Sequence, residues 1–199
     1  MNSIDNHMKK IKYNVTFFLC SFAVLFSFFS CEVQDSFEYD YAEDNSKLNM
    51  SAWAYIQKND SLSYLEEAIL QCKDESLYER TEKATFILPT NRAFKVYLEE
   101  NNYDTIGTVP ISVLKDILRY HIVKAEVNFN NPALAPKNKP IAYKTENGQI
   151  MYLSHTGTYV GLINEGTNKQ WQIRTSNLVP DNGIIHIVDH IVFYSDMAK

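Results

Sequence analysis

Ala84, Thr85, Phe86, Ile87 and Leu88 form a short apolar run that stops at Pro89, and Thr90, Asn91, Arg92, Ala93 and Phe94 follow at once. Proline removes a backbone donor and so ends a strand, while Thr90 and Asn91 are residue types that cap a helix. Ala93, Phe94, Tyr97 and Leu98 then recur at helical spacing, which predicts strand, sharp turn and helix in that order. Upstream, Trp53 and Ile56 predict a short helix from about Ser51 to Lys58. From Asp60 a second carries Leu62, Leu65, Ile69 and Cys72 on one side, with Glu66, Glu67, Lys73 and Asp74 on the other. Downstream, Pro110 opens a helix with Ile111, Leu114, Ile117 and Leu118 on its apolar face and Lys115, Asp116 and Arg119 opposite. It runs into the strand-like Tyr120 to Val123.

After Asn128 the pattern changes. Asn130, Asn131, Pro132, Pro136, Asn138 and Pro140 predict a loop. Asn147 and Gly148 lie between Ile141 to Thr145 and Gln149 to Ser154, the signature of a hairpin with a type I′ turn. Further strands are expected at Tyr159 to Asn164 and Gln170 to Thr175. Asn182 and Gly183 mark a tight turn needing positive φ, and Ile184 to Tyr194 is apolar enough to predict a central strand covered on both faces. Helices followed by a run of strands predict an α+β fold, an antiparallel β-sheet wedge or sandwich with short helices packed on one side.

The 199 residues, 45% hydrophobic and 22% charged, are an ordinary globular mix and exclude wholesale disorder. The net charge is −5, and it becomes −7 when Asp5, Lys9, Lys10 and Lys12 near the N-terminus are set aside. An acidic body argues against nucleic acid as a partner, because phosphate binding needs clustered Lys and Arg.

Lys9, Lys10 and Lys12 precede Tyr13 to Phe29, where 13 of 17 residues are apolar, and Ser30 and Cys31 close the run. Residues 1–30 therefore read as a signal peptide, with Met8 an alternative start and an uncleaved membrane anchor the alternative fate. Phe28, Phe29, Ser30 and Cys31 resemble the lipobox of bacterial lipoproteins, which implies acylation of Cys31. More than one acyl chain makes a stable anchor, since each buried methylene adds about 0.8 kcal/mol. Residues 31–48, with Glu32, Asp35, Glu38, Asp40, Glu43 and Asp44, then read as an acidic tether, and residues 49–196 as one domain. With Cys31 acylated, Cys72 has no disulfide partner and reads as a buried, inert thiol.

Thr85 to Phe94 is similar to the Phe-Ala-Pro-Thr-Asn-x-Ala-Phe motif of the fasciclin-like, or FAS1, domain. Asn182 to Ile191 is similar to that family's Asn-Gly-Val-Ile-His-x-Ile-Asp ending, and Leu114 to Val123 resembles its Tyr-His segment. Leu88 stands where the family has Ala before the proline, and His190 where Arg or Lys is frequent. The resemblance spans about Met50 to Tyr194 and implies a single FAS1-like domain that binds or adheres without catalysis. Its expected partner is an extracellular protein or polysaccharide, and its expected place is the cell envelope of a Gram-negative bacterium, lipid-anchored to the outer membrane. The alternative is an accessory glycan-binding subunit of a surface polysaccharide uptake system.

The resemblance also marks Asp116, Ile117, Tyr120 and His121 as candidate ligand-binding residues, because some FAS1 domains use this segment for receptor contact. An amphipathic Tyr and a His at a helix-to-strand junction are equally well explained as structural groups. His186, Asp189 and His190 are the most enzyme-like constellation, but on a strand the histidines stand roughly 13 Å apart, too far for one metal. No catalytic residue, metal or cofactor is expected: the sequence lacks a phosphate loop, a Cys-x-x-Cys pair and a Gly-x-Ser-x-Gly elbow. Tyr143, Tyr152, Tyr159 and Trp171 on the predicted hairpins would make a carbohydrate platform if exposed together.

Overall fold

A computed structural model of the chain describes residues 46–130 and 139–196. The signal peptide and Cys31 lie outside the described residues, as do most of the tether and residues 131–138 of the predicted loop. Among the described residues no helix is long and apolar enough to cross a membrane.

The helices are α1 (Ala52–Gln57), α2 (Ser63–Cys72), α3 (Glu75–Tyr78), α4 (Asn91–Glu100) and α5 (Ile111–Tyr120), with 3-10 turns at Asp60–Leu62 and Ile106–Thr108. Each begins or ends for a local reason. Ser51 caps α1 by accepting from the Ala54 N–H. Beyond α2, Lys73 turns left-handed (φ 56°), and the N–H groups of Lys73 and Asp74 return to Leu70 and Ile69 in a Schellman arrangement. Thr90 is the N-cap of α4 by position only, since its hydroxyl donates to Asp189 instead. Asn91 caps a different helix, accepting from the Tyr64 N–H at the start of α2.

The strands are β1 (Ala84–Pro89), β2 (Ile122–Val123), β3 (Ile141–Lys144), β4 (Ile150–His155), β5 (Gly161–Ile163), β6 (Trp171–Gln172), β7 (Thr175–Leu178) and β8 (Gly183–Val188). They form two four-stranded sheets, β2-β1-β8-β7 and β3-β4-β5-β6. The second is antiparallel throughout, but in the first β1 and β8 run parallel, from Ala84 opposite Gly183 to Pro89 opposite Val188. An all-antiparallel sheet, as the sequence suggests, is therefore corrected at its centre: β1 and β8 are joined by the long stretch from Thr90 to Asn182, which supplies the crossover that parallel pairing requires.

Burial of every residue of β1 follows from its place between two cores. Ala84, Phe86 and Leu88 join Ile185 and the apolar faces of α1, α2, α4 and α5. Ile87 faces the other way, with Val188 and Val123, into a core shared with Met151, Leu153, Ile163 and Trp171 of the second sheet. The sheets are linked at two corners, by a bridge from Val123 to Thr145 and by Arg174, whose N–H donates to the Ile187 carbonyl.

Four sequence expectations change in detail. The β3–β4 turn is not type I′, because only Gly148 (φ 90°) has positive φ; the Gly148 N–H donates to Thr145 O and the Thr145 N–H to Gln149 O, giving a three-residue loop. The strand expected over Gln170 to Thr175 is cut to Trp171–Gln172: the Ile173 N–H still donates to Gly161 O of β5, but the Arg174 N–H donates to Ile187 O of the other sheet, where Thr175 begins β7. β7, with its polar Thr-Ser-Asn-Leu sequence and left-handed Asn177 (φ 64°), was not foreseen. The strand expected to reach Tyr194 ends at Val188, because the Thr90 N–H takes the Val188 carbonyl and the Asp189 side chain turns to Thr90 and Arg174.

Gly183 has the conformation its turn demands (φ 151°), and a Cβ there would stand 1.9 Å from the Ala84 carbonyl oxygen. The strands that carry the two motifs can lie together only because this side chain is absent. Asn182 keeps φ negative and acts through its amide, accepting from the Ala52 N–H at 2.9 Å and donating to Tyr78 O at 2.8 Å.

Candidate functional site

Two regions contain the residues with chemical potential, and they differ in what their polar atoms do. The first is the end of α5. Tyr120 is 2% exposed; its hydroxyl donates to Ile150 O at 3.1 Å and accepts from Asn164 Nδ2 at 3.0 Å. His121 is 1% exposed, and its Nε2 accepts from the Val192 N–H at 3.1 Å. Its Nδ1 must then carry the proton, which it donates to Ile117 O at 2.8 Å. Burial lowers the His121 pKa to about 4, against the opposing effect of the bond to Ile117, so the ring is neutral near pH 7.

Ile117 is buried as well, in the helix-side core. Asp116 alone of the four candidates faces solvent, and it accepts from the Asn147 amide at 2.9 Å across the β3–β4 loop. Tyr120, His121 and Ile117 are thus buried, and the polar atoms of Tyr120 and His121 are bonded within the domain. The reason is that the junction lies between two cores: Tyr120 and Val123 pack in the core shared with the second sheet, and Ile117 and Ile122 in the helix-side core.

The same holds for His186, fully buried on β8 and stacked on Phe129 at 4.6 Å. Its Nδ1 accepts from the Asn177 N–H and its Nε2 donates to Val127 O, and burial lowers its pKa to about 4. His190 lies at the surface, past the end of the strand. Among the described residues no group of three or more His, Cys, Asp or Glu side chains is placed to hold a metal ion. Cys72 is buried, and burial pushes its thiol pKa up, as suits an inert side chain.

The second region is an open groove of about 730 Å³ between α4, the Lys169–Arg174 segment and the irregular chain after β8. Such a volume lies within the range of roughly 300–1,000 Å³ usual for small-ligand sites. Tyr97, Phe193 and Trp171 line one part of it, with ring centroids 6.1 Å apart for Tyr97 and Phe193 and 6.5 Å for Trp171 and Phe193. Lys169 Nζ lies 5.5 Å from the Trp171 ring centre, a cation–π contact. Arg174 donates to both carboxylate oxygens of Asp189, at 3.1 and 3.4 Å. Partial burial acts to raise the Asp189 pKa, but the bonds from Thr90 and Arg174 outweigh it and hold the carboxyl below the usual range. Glu100, Gln170, Gln172 and His190 also line the groove.

Buried groups of the first region position the second. Asn164, left-handed at φ 56°, donates from Nδ2 both to Tyr120 Oη and to the Phe193 carbonyl, the latter at 2.9 Å. His121 holds the neighbouring Val192 N–H. The chain that floors the groove is therefore pinned from behind by the Tyr-His pair.

Of the four aromatic residues predicted to form a platform, only Tyr159 is open, at 54% exposure. Its ring stacks on His155. Trp171 is 7% exposed and Tyr143 and Tyr152 are half-buried, so the expected platform is not assembled, although Trp171 reaches the groove. Sequence reasoning did not find the groove as a site. Its lining comes from three segments that share no motif, and only the apolar spacing of α4 and the isolated Trp171 hinted at any part of it.

Two sheets, one of them with the motif-bearing strands β1 and β8 at its centre, together with short helices, define a FAS1-type domain. A family model described as the fasciclin domain matches residues 57–193, and the chain belongs to that family. Among solved structures it is similar to the FAS1 domain pair from the insect cell adhesion molecule fasciclin I, at 21% identity and a TM-score of 0.52. The match covers 68% of this chain and 46% of that one, so the chain spans a little under half the length of that structure. No curated protein matches the chain.

Proposed function

We propose that this protein is a cell-envelope lipoprotein, acylated on Cys31, whose FAS1 domain is a non-catalytic adhesion or binding module for an extracellular protein or polymer. The observation that carries this reading is the contrast within the site. Tyr120, His121 and His186 have their polar atoms committed to the fold, whereas uncommitted side chains gather in an open groove. Catalysis needs titratable groups within hydrogen-bond reach of one reacting atom. Binding needs accessible, complementary surface. Family membership supports the same reading.

Cells making the full chain should adhere to surfaces coated with matrix proteins or polysaccharides, and the protein should partition with detergent after phase separation. Cys31→Ala should move it to the aqueous phase. Turnover of any substrate, or detergent partition unchanged by Cys31→Ala, would contradict the proposal. The reading as a glycan-binding subunit of an uptake system is favoured by the aromatic and polar composition of the groove.

A further inference from the structure

We infer that the groove between α4 and β6 is a binding site for a neutral polysaccharide chain, with Glu100, Gln172 and Phe193 among its contact residues. The inference rests on the binding-module reading and assigns that module a site and a ligand class.

The argument starts from the balance of the lining. Lys169 supplies a cationic donor, Glu100 an anionic acceptor, and Gln170 and Gln172 both kinds, while the Arg174–Asp189 ion pair adds no net charge. An anionic polymer laid here would meet the Glu100 carboxylate, and a polycation would meet Lys169; like charges brought together in an interface oppose binding. An apolar peptide helix would leave the polar side chains unpaired and desolvated. Sugar hydroxyls both donate and accept, so a wall of mixed sign and mixed polarity satisfies them without a net charge requirement. Glu100 and Lys169 then make charge-assisted bonds to neutral hydroxyls.

The aromatic part agrees with this. Tyr97, Phe193 and Trp171 form a contiguous group, and Phe193, at 38% exposure, is the ring most open to the C–H face of a sugar. Burial, with a smaller contribution from Tyr103, pushes the Tyr97 phenol pKa up, so it is a neutral hydroxyl near pH 7. Glu100, Gln170, Gln172 and His190 make no side-chain hydrogen bond or ion pair with another described residue. They lie on three different segments around one open groove, which suits an extended chain passing through. Arg174 and Asp189, in contrast, are already paired and brace the wall. Tyr120, His121 and Asn164 are positioning residues here, since they hold the backbone at Val192 and Phe193.

The test is affinity electrophoresis of the full chain in gels containing laminarin, xylan, mannan or amylopectin, with polygalacturonate and dextran sulfate as anionic counterparts. Retardation by at least one neutral polymer is expected, with little or none by the anionic ones. Glu100→Gln and Gln172→Ala alter surface side chains and leave the core intact. Each should weaken retention by about tenfold, the loss of one charge-assisted or amide hydrogen bond inside a site. Phe193→Ala should weaken it further. Retardation by none of the neutral polymers, retardation by the anionic ones alone, or neutral binding indifferent to all three substitutions overturns the inference. If the parent still adheres to protein-coated surfaces in those cases, the binding-module reading survives. If it adheres to nothing, both fall.

Discussion

The Tyr-His junction at the end of α5 and the groove beside α4 are near neighbours with opposite character. At the junction every polar side-chain atom of Tyr120 and His121 has a partner, and both residues are almost fully buried. In the groove, Glu100, Gln170, Gln172 and His190 have none among the described residues. The comparison teaches that residues forming a recognisable motif need not be those that meet a ligand. A motif tolerates little change when it closes a network, and a network is closed where water is excluded.

The contrast can be broken most severely at the fold itself. Gly183→Ala places a Cβ 1.9 Å from the Ala84 carbonyl oxygen and in a backbone region (φ 151°) that side chains rarely adopt. The β1–β8 pairing should fail and no soluble, cooperatively melting protein should be recovered. A variant with the parent's melting curve would show that the inner strands tolerate separation.

Acid should come next in size. The folded pKa values of His121 and His186 are lowered to about 4, whereas their unfolded counterparts titrate near 6.5. Between those values the unfolded chain binds more protons, so stability rises with pH across this window. The contribution is fully present above about pH 6.5 and is lost as the pH falls through about 4, on the order of 3 kcal/mol for each ring. Urea midpoints measured at pH 7, 5.5 and 4 should fall steadily, and His121→Gln or His186→Gln should remove about half of that dependence. A pH-independent midpoint would mean that these rings are not desolvated.

The smallest effect belongs to the groove. Gln172→Ala should change stability by no more than about 0.5 kcal/mol, read as an unshifted thermal melt, because an exposed side chain without partners supports nothing. A large loss of stability would make the groove part of the structural network and erase the distinction.

Much of the first core was legible in the sequence. The apolar spacing of Leu65, Ile69 and Cys72, and of Leu114, Ile117 and Leu118, identifies the buried faces of α2 and α5, because helical periodicity is a local property. Pro89 and Gly183 sit where backbone chemistry alone requires them. The β3–β4 turn was placed correctly but mistyped, since Asn-Gly is compatible with both a two-residue and a three-residue loop and the register of the strands chooses between them. β7 was missed because its pairing with β8, and not the hydrophobicity of Thr-Ser-Asn-Leu, makes it a strand. The apolar run around His186 places it on a covered strand, but its partners Asn177 and Val127 come from other segments that no local pattern points to.

By itself the amino-acid order determined where α1, α2, α4, α5 and β1 lie, which of their faces are apolar, and the family to which the chain belongs. These depend on neighbours within a few residues, where the backbone geometry is already known. Only the tertiary structure decided that β1 and β8 run side by side and parallel, that the Tyr-His pair turns inward, and that α4, β6 and the chain after β8 enclose a groove. Those outcomes depend on packing between segments as far apart as Tyr97 and Phe193, and no local pattern encodes which distant partner a side chain will meet.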